Sequence, residues 1–310
     1  MAPPEKQVAL IIGASRGIGR QVAIDLAKEG YAVVVSAKST SDASQTHPFP
    51  PDPNSQHSTI STVEREIRSS GGTATAIPVD TRSFPTIQSL VSRTLETYGR
   101  IDVLIYNSGA IWWSSVDNTP FKRFQLMQQV NVEGLYGAVQ ACLPVFKQQG
   151  WKGRIIVVSP PIYSRFFRGK TAYAMGKVGM SVLTKGLAID FEREGKKDMA
   201  ITSIWPATAI QSAATENMAK EDGKDLRKAT IYSDAILAML RSEVHEVNGC
   251  LELDEDFLRK KGVADFGKYS LVEGASPRRI MPAEFPDLRV KEQDDEGKRV
   301  DSTKLRVAKL

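Results

Sequence analysis

The sequence is poor in the side chains that hold metals. Its 310 residues include two cysteines, Cys142 and Cys250, and three histidines, all at unrelated spacings. Protein sites for zinc and other transition metals need several such ligands at short, regular intervals. We therefore expect no metal site, and two isolated thiols indicate reduced cysteines in an intracellular compartment.

Long apolar runs are also missing. The longest, such as Val8–Ile12 and Ile155–Val158, have the length of a strand and are far too short to cross a bilayer. The first residues, MAPPEKQ, lack the apolar core of a signal peptide. We therefore expect neither a membrane span nor secretion.

The charge balance is mildly basic, with a formal net charge of +5. The sequence has no basic stripe interleaved with aromatic residues, so no nucleic-acid partner is expected. A mild positive excess suits an anionic small molecule, such as a phosphorylated cofactor.

Strand-like segments rich in β-branched residues alternate with helical patterns along most of the chain. Between them, apolar residues recur every three or four positions, as in 18–28 and 87–98. This alternation indicates an α/β fold with a doubly wound parallel sheet and helices on both faces. The strand-like segments are residues 8–12, 32–37, 74–79, 101–106, 154–159, 200–205 and 250–253.

Two regions interrupt the alternation. Residues 39–58 are rich in proline, serine and other polar residues, and they are long for a strand-to-helix connection, so we interpret them as an inserted loop. Residues 274–310 are polar and charged, which is typical of a solvated tail rather than of a second domain. The sequence therefore predicts one domain over residues 5–273.

A glycine-rich turn follows the first strand. Residues 8–19 read VALIIGASRGIG, in which a buried strand leads into Gly13, Gly17 and Gly19 and a helix follows. Glycine closes a tight turn and lets backbone N–H groups approach a pyrophosphate, and the helix N-terminus adds partial positive charge. This arrangement predicts a dinucleotide site.

The spacing G-x-x-x-G-x-G resembles that of the short-chain dehydrogenase/reductase family. Other motifs of that family follow in order, namely Asp80 after a strand, Tyr106-Asn107-Ser108-Gly109, Asn131, and Tyr173 with Lys177. The strings SAKST, SPP and WPATAI are similar to those of the hydroxysteroid dehydrogenase-like members, many of which carry a sterol-carrier domain where this chain has its polar tail. The resemblance implies a Rossmann-type single domain of three layers, α/β/α, and a homodimer or homotetramer.

Tyr173 and Lys177 can carry proton chemistry. If residues 171–190 form a helix, the two side chains lie one turn apart on one face. An ammonium stabilises a nearby phenolate and lowers the tyrosine pKa from about 10, so the tyrosine can exchange a proton with a carbonyl oxygen as hydride moves. The resemblance implies that Lys177 also holds the nicotinamide ribose and that Asn131 keeps a water relay beside it.

The residues after the second strand favour NADP(H). Enzymes that use NAD place an acid there, whereas family alignment puts Ala37 at this position, followed by Lys38, with Arg16 in the glycine loop. Two cations and no acid complement a 2′-phosphate. Two alternatives stay open, since Lys38 could be a solvated lysine and Asp42 could fold back from the inserted loop. The expected cofactor-binding residues are Gly13, Ser15, Arg16, Gly17, Ile18, Gly19, Lys38, Asp80, Asn107, Lys177 and Thr208.

The serine that orients substrate in the family has no direct counterpart. Counting back from Tyr173 by the usual interval reaches Pro160, which has no hydroxyl. Ser159 precedes it and would face away in a regular strand, but the two prolines that follow could twist the chain and aim it inward. Ser159 is therefore a candidate catalytic residue, with Tyr163 and Ser164 as further candidates. The alternative is an NADP(H)-binding protein with weak or no turnover.

Aromatic residues flank the expected active site. Residues 111–113 (Ile-Trp-Trp) follow the fourth strand, and Tyr163, Phe166 and Phe167 precede the active-site helix. They predict an apolar pocket for a hydrophobic, lipid-, steroid- or polyketide-like substrate, with packing against the core or in a dimer interface as the alternative. Residues 207–228 resemble the mobile substrate lid of the family.

The last three residues, Ala308-Lys309-Leu310, are a near variant of the S-K-L peroxisomal address. An import receptor reads that address, so the sequence predicts such a partner and a peroxisomal location, with the cytoplasm as the alternative. The function expected from the sequence is the interconversion of a carbonyl and a secondary alcohol.

Overall fold

The computed structural model describes residues 6–41, 57–162, 167–216 and 222–285. Seven strands in these ranges form one sheet in which every pair is parallel. The strands are β1 (Val8–Ile12), β2 (Ala32–Ser36), β3 (Thr73–Ala76), β4 (Val103–Tyr106), β5 (Gly153–Val158), β6 (Met199–Trp205) and β7 (Leu251–Leu253). Their order is β3-β2-β1-β4-β5-β6-β7, which confirms the predicted doubly wound, Rossmann-type sheet.

Helices connect the strands and cover both faces of the sheet. One π-helical turn, Gln129–Glu133, joins α4 to α5, and short 3₁₀ turns lie at Ala213–Thr215 and Gly267–Tyr269. The helices are α1 (Gly17–Lys28), α2 (Ile60–Ser69), α3 (Phe84–Tyr98), α4 (Phe121–Gln128), α5 (Gly134–Gln148), α6 (Thr171–Arg193), α7 (Thr230–Arg241), α8 (Val244–Val247) and α9 (Asp254–Lys260).

The core consists of two apolar layers separated by the sheet. Successive side chains of a strand point to opposite faces, so Ile11 packs in one layer with Val33 and Leu26, whereas Leu10 packs in the other with Phe146. The central strands are therefore buried on both faces and read as continuous apolar runs. This burial explains why strand and helix positions were readable from the sequence.

The sheet order creates a crevice between β1 and β4. The chain runs outward from β1 through β2 to β3 and then returns to place β4 on the other side of β1. Leu10 pairs with Leu104 and Ile12 with Tyr106, so the segments after β1 and β4 leave the sheet side by side. Ligands bind in open α/β sheets at such a reversal, outside the carboxyl ends of the strands.

Parts of the predicted insertion and tail, residues 42–56 and 286–310, lie outside the described residues. Within the described ranges, no helix combines the length and the apolar character that a membrane span requires. The same ranges contain no group of three His, Cys, Asp or Glu side chains that could hold a metal ion.

Candidate active site

A cavity of about 700 Å³ opens at the carboxyl edge of the sheet, where β1, β4, β5 and β6 end. A volume of this size is within the range of small-molecule sites. One part of its wall, the glycine-loop wall, comprises Gly13, Ser15, Arg16, Gly17, Ile18 and Asn107. Another part, the substrate wall, comprises Trp113, Tyr173, Ile210, Ala214, Ile280 and Met281.

The glycine loop is packed so tightly that side chains are excluded at two positions. Gly13 has φ of +94°, and a Cβ atom there would lie 2.5 Å from the backbone nitrogen of Ser108. A Cβ atom at Gly19 would lie 2.1 Å from the carbonyl oxygen of Gly13. The Asn107 side-chain amide donates to that same carbonyl at 2.8 Å. The loop after β1 is thus held against the loop after β4.

The N-terminus of α1 is suited to an anionic ligand. Arg16 occupies the N-cap position in an extended conformation, and its side chain makes no capping hydrogen bond. Arg16, Gly17 and Ile18 line the cavity at this helix end, where unpaired backbone N–H groups and the helix dipole favour negative charge. The residues present therefore fit a pyrophosphate-containing nicotinamide cofactor.

Two expected cofactor contacts, Lys38 and Asp80, pair with each other outside the cavity lining. The Lys38 ammonium is exposed and lies 3.5 Å from the Asp80 carboxylate. Arg82 donates to the same carboxylate from Nε at 2.8 Å and from Nη2 at 2.5 Å. These hydrogen bonds hold the pKa of Asp80 well below its ordinary value. Ala37, at the carboxyl end of β2, does line the cavity. The cofactor contacts of Lys38 and Asp80 stay predictions.

Tyr173 and Lys177 lie on α6, one turn apart, and both line the cavity, which confirms the predicted helix. Their side chains are buried, and Lys177 Nζ donates to the Val158 carbonyl at 2.9 Å. Burial raises the pKa of the Tyr173 hydroxyl, contrary to the lowering expected from the sequence, and lowers the pKa of Lys177 to about 7. Both shifts reflect the loss of water around a charged form.

Asn131 holds the segment after β4. It lies fully buried in the π-helical turn, where its Oδ1 accepts from the Ala110 N–H at 2.8 Å and its Nδ2 donates to the Ala110 carbonyl at 3.1 Å. A Cβ atom placed on Gly109 would lie 3.3 Å from Lys177 Nζ and 3.5 Å from Asn131 Oδ1. Asn131 and Lys177 therefore approach each other beside Gly109. The water relay itself stays a prediction.

Ser159 directs its hydroxyl into the core. The side chain is fully buried, donates to Ser203 Oγ at 3.0 Å and accepts from Ser181 Oγ at 2.9 Å. Ser159 and Pro160 are both absent from the described lining of the cavity, whereas Val158 is part of it. A contact between the Ser159 hydroxyl and a substrate would thus require a conformation different from this one, and its catalytic role stays a prediction.

The predicted aromatic cluster is only partly assembled at the cavity. Trp113 lines the cavity and meets the Tyr173 ring edge to face, with centroids 6.2 Å apart. Trp112 instead packs under the Arg123 guanidinium, 4.7 Å from its ring centroid. Phe167 is exposed. The candidates at residues 163–166 lie outside the described residues, and among the described members of the predicted cluster Trp113 lies beside Tyr173.

One segment of the site was not anticipated, since the sequence predicts a solvated tail from residue 274. Residues 278–281, which we name the C-terminal strap, instead lie against the segment after β6, and the Ile280 N–H donates to the Ala207 carbonyl at 2.8 Å. Met281 is buried. The expectation of a solvated tail is wrong for the strap, because its two apolar residues, Ile280 and Met281, line the cavity.

The strap is fixed by a bidentate ion pair. Arg279 donates from Nη1 and Nη2 to the two carboxylate oxygens of Asp256 on α9, both at 2.6 Å. It also forms an antiparallel bridge with Thr208, which is buried and does not line the cavity. Beneath them, the Asp254 carboxylate accepts from the Ala207 N–H at 2.8 Å. An ion pair between residues so far apart in sequence leaves no local signal that could have revealed it.

Comparisons with known proteins identify a matching family model and similar curated proteins. A family model described as enoyl-(acyl carrier protein) reductase matches residues 13–232. Hydroxysteroid dehydrogenase-like protein 2 of Mus musculus is 34% identical over 306 residues, which are 96% of this chain and 59% of that protein. The protein of the same description from Danio rerio is 36% identical over 281 residues, or 89% and 63% of the two chains. The chain thus spans less than two thirds of the length of these curated relatives.

A solved structure shares the fold closely. A short chain dehydrogenase from Mycobacterium thermoresistibile superposes with a TM-score of 0.76 at 32% sequence identity. The match covers 88% of this chain and 93% of that one. The similarity therefore extends over most of both chains.

Proposed function

The chain belongs to the short-chain dehydrogenase/reductase family, whose members are oxidoreductases with nicotinamide cofactors, and from this premise we propose that it is an NADP(H)-dependent enzyme. It interconverts a carbonyl and a secondary alcohol on a hydrophobic substrate. The observation that carries the proposal is that Tyr173 and Lys177, both buried, line the same cavity as the glycine loop.

The protein's part in the reaction is proton transfer. When bound, the nicotinamide ring supplies or accepts the hydride. The Tyr173 hydroxyl, whose pKa burial raises above its ordinary value, is protonated near neutral pH and can donate to a carbonyl oxygen. In its protonated form, Lys177 contributes an ammonium one turn away that stabilises the phenolate left behind.

The choice of NADP(H) over NAD(H) rests on charge at the glycine-loop wall. Arg16 lines the cavity, and the end of β2 presents Ala37 rather than an acid. A guanidinium favours a 2′-phosphate, whereas an acid at Ala37 would repel it. We expect Arg16→Gln to weaken NADPH binding about 10-fold and NADH binding less, because one charge-assisted contact is lost.

The substrate wall and the outer helices support two further parts of the proposal. The apolar side chains of Trp113, Ile280 and Met281 suit a hydrophobic substrate. On the outer surface, α5 and α6 carry exposed Tyr136, Met175, Val182 and Ile189, a face suited to self-association as a homodimer or homotetramer. The peroxisomal location and the import receptor stay predictions, since residues 308–310 lie outside the described residues.

The test follows the absorbance of NADPH with a panel of diketones, ketosteroids and 3-ketoacyl thioesters. Wild type should oxidise NADPH in the presence of at least one carbonyl. Tyr173→Phe should reduce that rate by about 10²-fold or more while NADPH affinity is retained, because only the proton donor is removed. Tyr98→Phe is the matched control, since its hydroxyl contacts Thr75 far from the cavity.

A second candidate function is NADP(H) binding with weak or no turnover. It is favoured by Pro160 at the position of the family's serine and by the Ser159 hydroxyl, which points to Ser203 and Ser181. Tight NADPH binding without carbonyl-dependent oxidation across the whole panel would support this alternative. Oxidation that disappears in Tyr173→Phe would exclude it.

A further inference from the structure

Ser58 is a buried polar residue that the proposed reaction does not use. It is the last residue of the predicted inserted loop, yet its side chain is fully buried. Its Oγ donates to the Ser15 carbonyl at 2.7 Å, across 43 positions of the sequence. Ser15 belongs to the glycine-loop wall of the cavity. A residue outside that wall is therefore bonded to the backbone of the loop that is expected to bind the cofactor.

Two side chains hold carbonyl groups of the glycine loop. Asn107 donates to the Gly13 carbonyl at 2.8 Å, and Ser58 donates to the Ser15 carbonyl at 2.7 Å. Asn107 lines the cavity, whereas Ser58 is not among the described lining residues. Ser58 therefore contacts the loop from the side of the protein interior, away from a ligand that occupies the cavity.

The hydrogen bond from Ser58 also fixes the direction of a neighbouring N–H group. The Ser15 carbonyl and the Arg16 N–H belong to one peptide unit, which is planar and trans, so the two groups point in opposite directions. Because the carbonyl is directed at Ser58 and away from the cavity, the Arg16 N–H is directed towards the cavity that Arg16 lines. It stands at the N-cap of α1, beside the N–H groups that suit an anion.

Ser58 is itself held in place by the start of α2. The next residue, Thr59, caps α2 in a reciprocal capping box with Thr62, in which each side chain accepts from the other residue's N–H. Further along, α2 is joined to α1 by the Arg20–Glu66 ion pair at 2.6 Å, in which the Arg20 side chain is largely buried. The Ser58 hydroxyl is therefore fixed relative to α1, the helix that follows the glycine loop.

We propose that Ser58 is a positioning residue for the cofactor, whose hydroxyl holds the Ser15–Arg16 peptide so that the Arg16 N–H is available to the pyrophosphate. Ser58 contacts neither cofactor nor substrate in this role, which rests on the proposed function. Without its hydroxyl, the ligand has to order this peptide on binding, and that ordering weakens affinity. The pyrophosphate is common to NADPH and NADH, so the affinity for both should fall by the same factor.

The test measures the dissociation constants of NADPH and NADH by fluorescence titration for wild type, Ser58→Ala and Ser70→Ala. Ser58→Ala should raise both constants about 10-fold, the effect of ordering one peptide, and should leave their ratio unchanged. Arg16→Gln, in contrast, should change that ratio. Ser70→Ala is the matched control, since its Oγ donates to a backbone carbonyl at the exposed end of α2, that of Glu66 at 3.0 Å. It should leave both constants unchanged.

Urea unfolding without cofactor separates this role from a purely structural one. A structural role lowers the free energy of unfolding of Ser58→Ala but leaves both dissociation constants of the folded protein unchanged, and that result overturns the proposal while the proposed function stands. A loss confined to NADPH overturns it as well, because the 2′-phosphate would then be the group affected. If Ser58→Ala does not fold, Ser58→Cys, whose thiol is a weak donor, is held to the same outcomes. A wild type that binds neither cofactor contradicts the proposed function and this role together.

Discussion

The two walls of the cavity are built in different ways. The glycine-loop wall comes mostly from one short stretch, Gly13–Ile18, and presents backbone atoms held by the Asn107 amide. The substrate wall joins side chains from after β4, from α6, from after β6 and from the strap. Backbone contacts suit a ligand common to many enzymes, and side-chain contacts from several segments suit a ligand that differs among them.

The difference in construction also determines how each wall responds to a substitution. At the glycine-loop wall, an added methyl group meets backbone that cannot move aside. At the substrate wall, the strap is attached by side chains such as Arg279, and losing one contact loosens it without a clash. We therefore expect the largest effects on ligand binding at the glycine-loop wall.

The largest expected effect is that of Gly19→Ala on cofactor binding. The new Cβ atom would lie 2.1 Å from the Gly13 carbonyl oxygen and 2.6 Å from Asn107 Nδ2, so the loop must shift. Overpacking of this kind costs about 1–3 kcal/mol, which corresponds to as much as about 100-fold in the NADPH dissociation constant. Fluorescence titration with NADPH measures this dissociation constant.

Gly186→Ala on α6 is the matched control for that substitution. A Cβ atom at Gly186 meets no atom within 4 Å, and alanine favours a helix, so NADPH affinity should be unchanged. Unaltered affinity in Gly19→Ala would show that the loop is not held as tightly against Asn107 as the distances indicate.

The glycine-loop wall was predictable because its signal is local. Glycine spacing, a preceding apolar strand and a following helix lie within a dozen residues, and the Tyr173–Lys177 spacing likewise fits one helix turn. The sheet was predictable because its strands are buried on both faces. Signals between residues close in sequence thus made the fold and the glycine-loop part of the site predictable.

The substrate wall was not predictable in the same way. The strap reaches the cavity through the Arg279–Asp256 ion pair and the hydrogen bond to Ala207, neither of which leaves a periodic pattern. The orientation of Ser159 depends on Ser203 in the neighbouring strand, which only the sheet register brings beside it. Contacts between distant segments need the tertiary structure.

A second prediction concerns the strap. Arg279→Gln removes the bidentate pair with Asp256 and should raise KM for a carbonyl substrate about 10-fold, the effect of one charge-assisted pair discounted for partial exposure. Because the glycine loop is untouched, the NADPH dissociation constant should change much less. Steady-state kinetics at saturating NADPH give KM for the carbonyl substrate and kcat separately.

Arg259→Gln serves as the control for the loss of an arginine on this side of the protein. Arg259, whose side chain is about half exposed, pairs with the buried Glu255 and does not line the cavity. The Arg259→Gln substitution should leave KM for the carbonyl substrate unchanged. A KM increase of equal size in both variants would show that the strap is not specifically responsible.

A third and smaller effect concerns Asp254 and pH. Burial raises the pKa of its carboxyl from about 3.8 to about 7, and its Oδ2 atom has no hydrogen-bond partner in the described part of the chain. The folded state therefore binds a proton more tightly than the unfolded state. The resulting stabilisation is present below about pH 4 and is lost as pH rises towards 7.

Asp254→Asn should remove the loss of stability that accompanies deprotonation of this carboxyl. An asparagine oxygen can still accept from the Ala207 and Glu255 N–H groups, so the free energy of unfolding should fall clearly less between pH 4 and 7 in this variant than in wild type. Urea unfolding across this pH range measures the slope. Asp222→Asn, at an exposed site, controls for the lost charge, and identical slopes in wild type and Asp254→Asn would contradict the assignment.

The smallest expected effect is that of Ser159→Ala, which tests whether the substrate wall has a second hydroxyl donor. Ser181 and Ser203 keep the Pro160 and Ser159 carbonyls as acceptors, both at 2.5 Å, so neither is left unpaired. With the Ser159 hydroxyl in the core, kcat should change by less than about threefold, far below the 10²-fold or more that loss of an oxyanion donor produces.

The companion substitution Pro160→Ser tests whether a hydroxyl at the position of the family's serine contributes to catalysis. If the family's serine position still points towards the cavity, a hydroxyl at residue 160 should raise kcat while Ser159→Ala leaves it nearly unchanged. A fall of about 10²-fold in Ser159→Ala would instead show that Ser159 turns inward when substrate binds, as its place at the end of β5 before two prolines allows. The substrate wall would then be completed by motion at the end of β5, and the contrast with the preformed glycine-loop wall would be sharper.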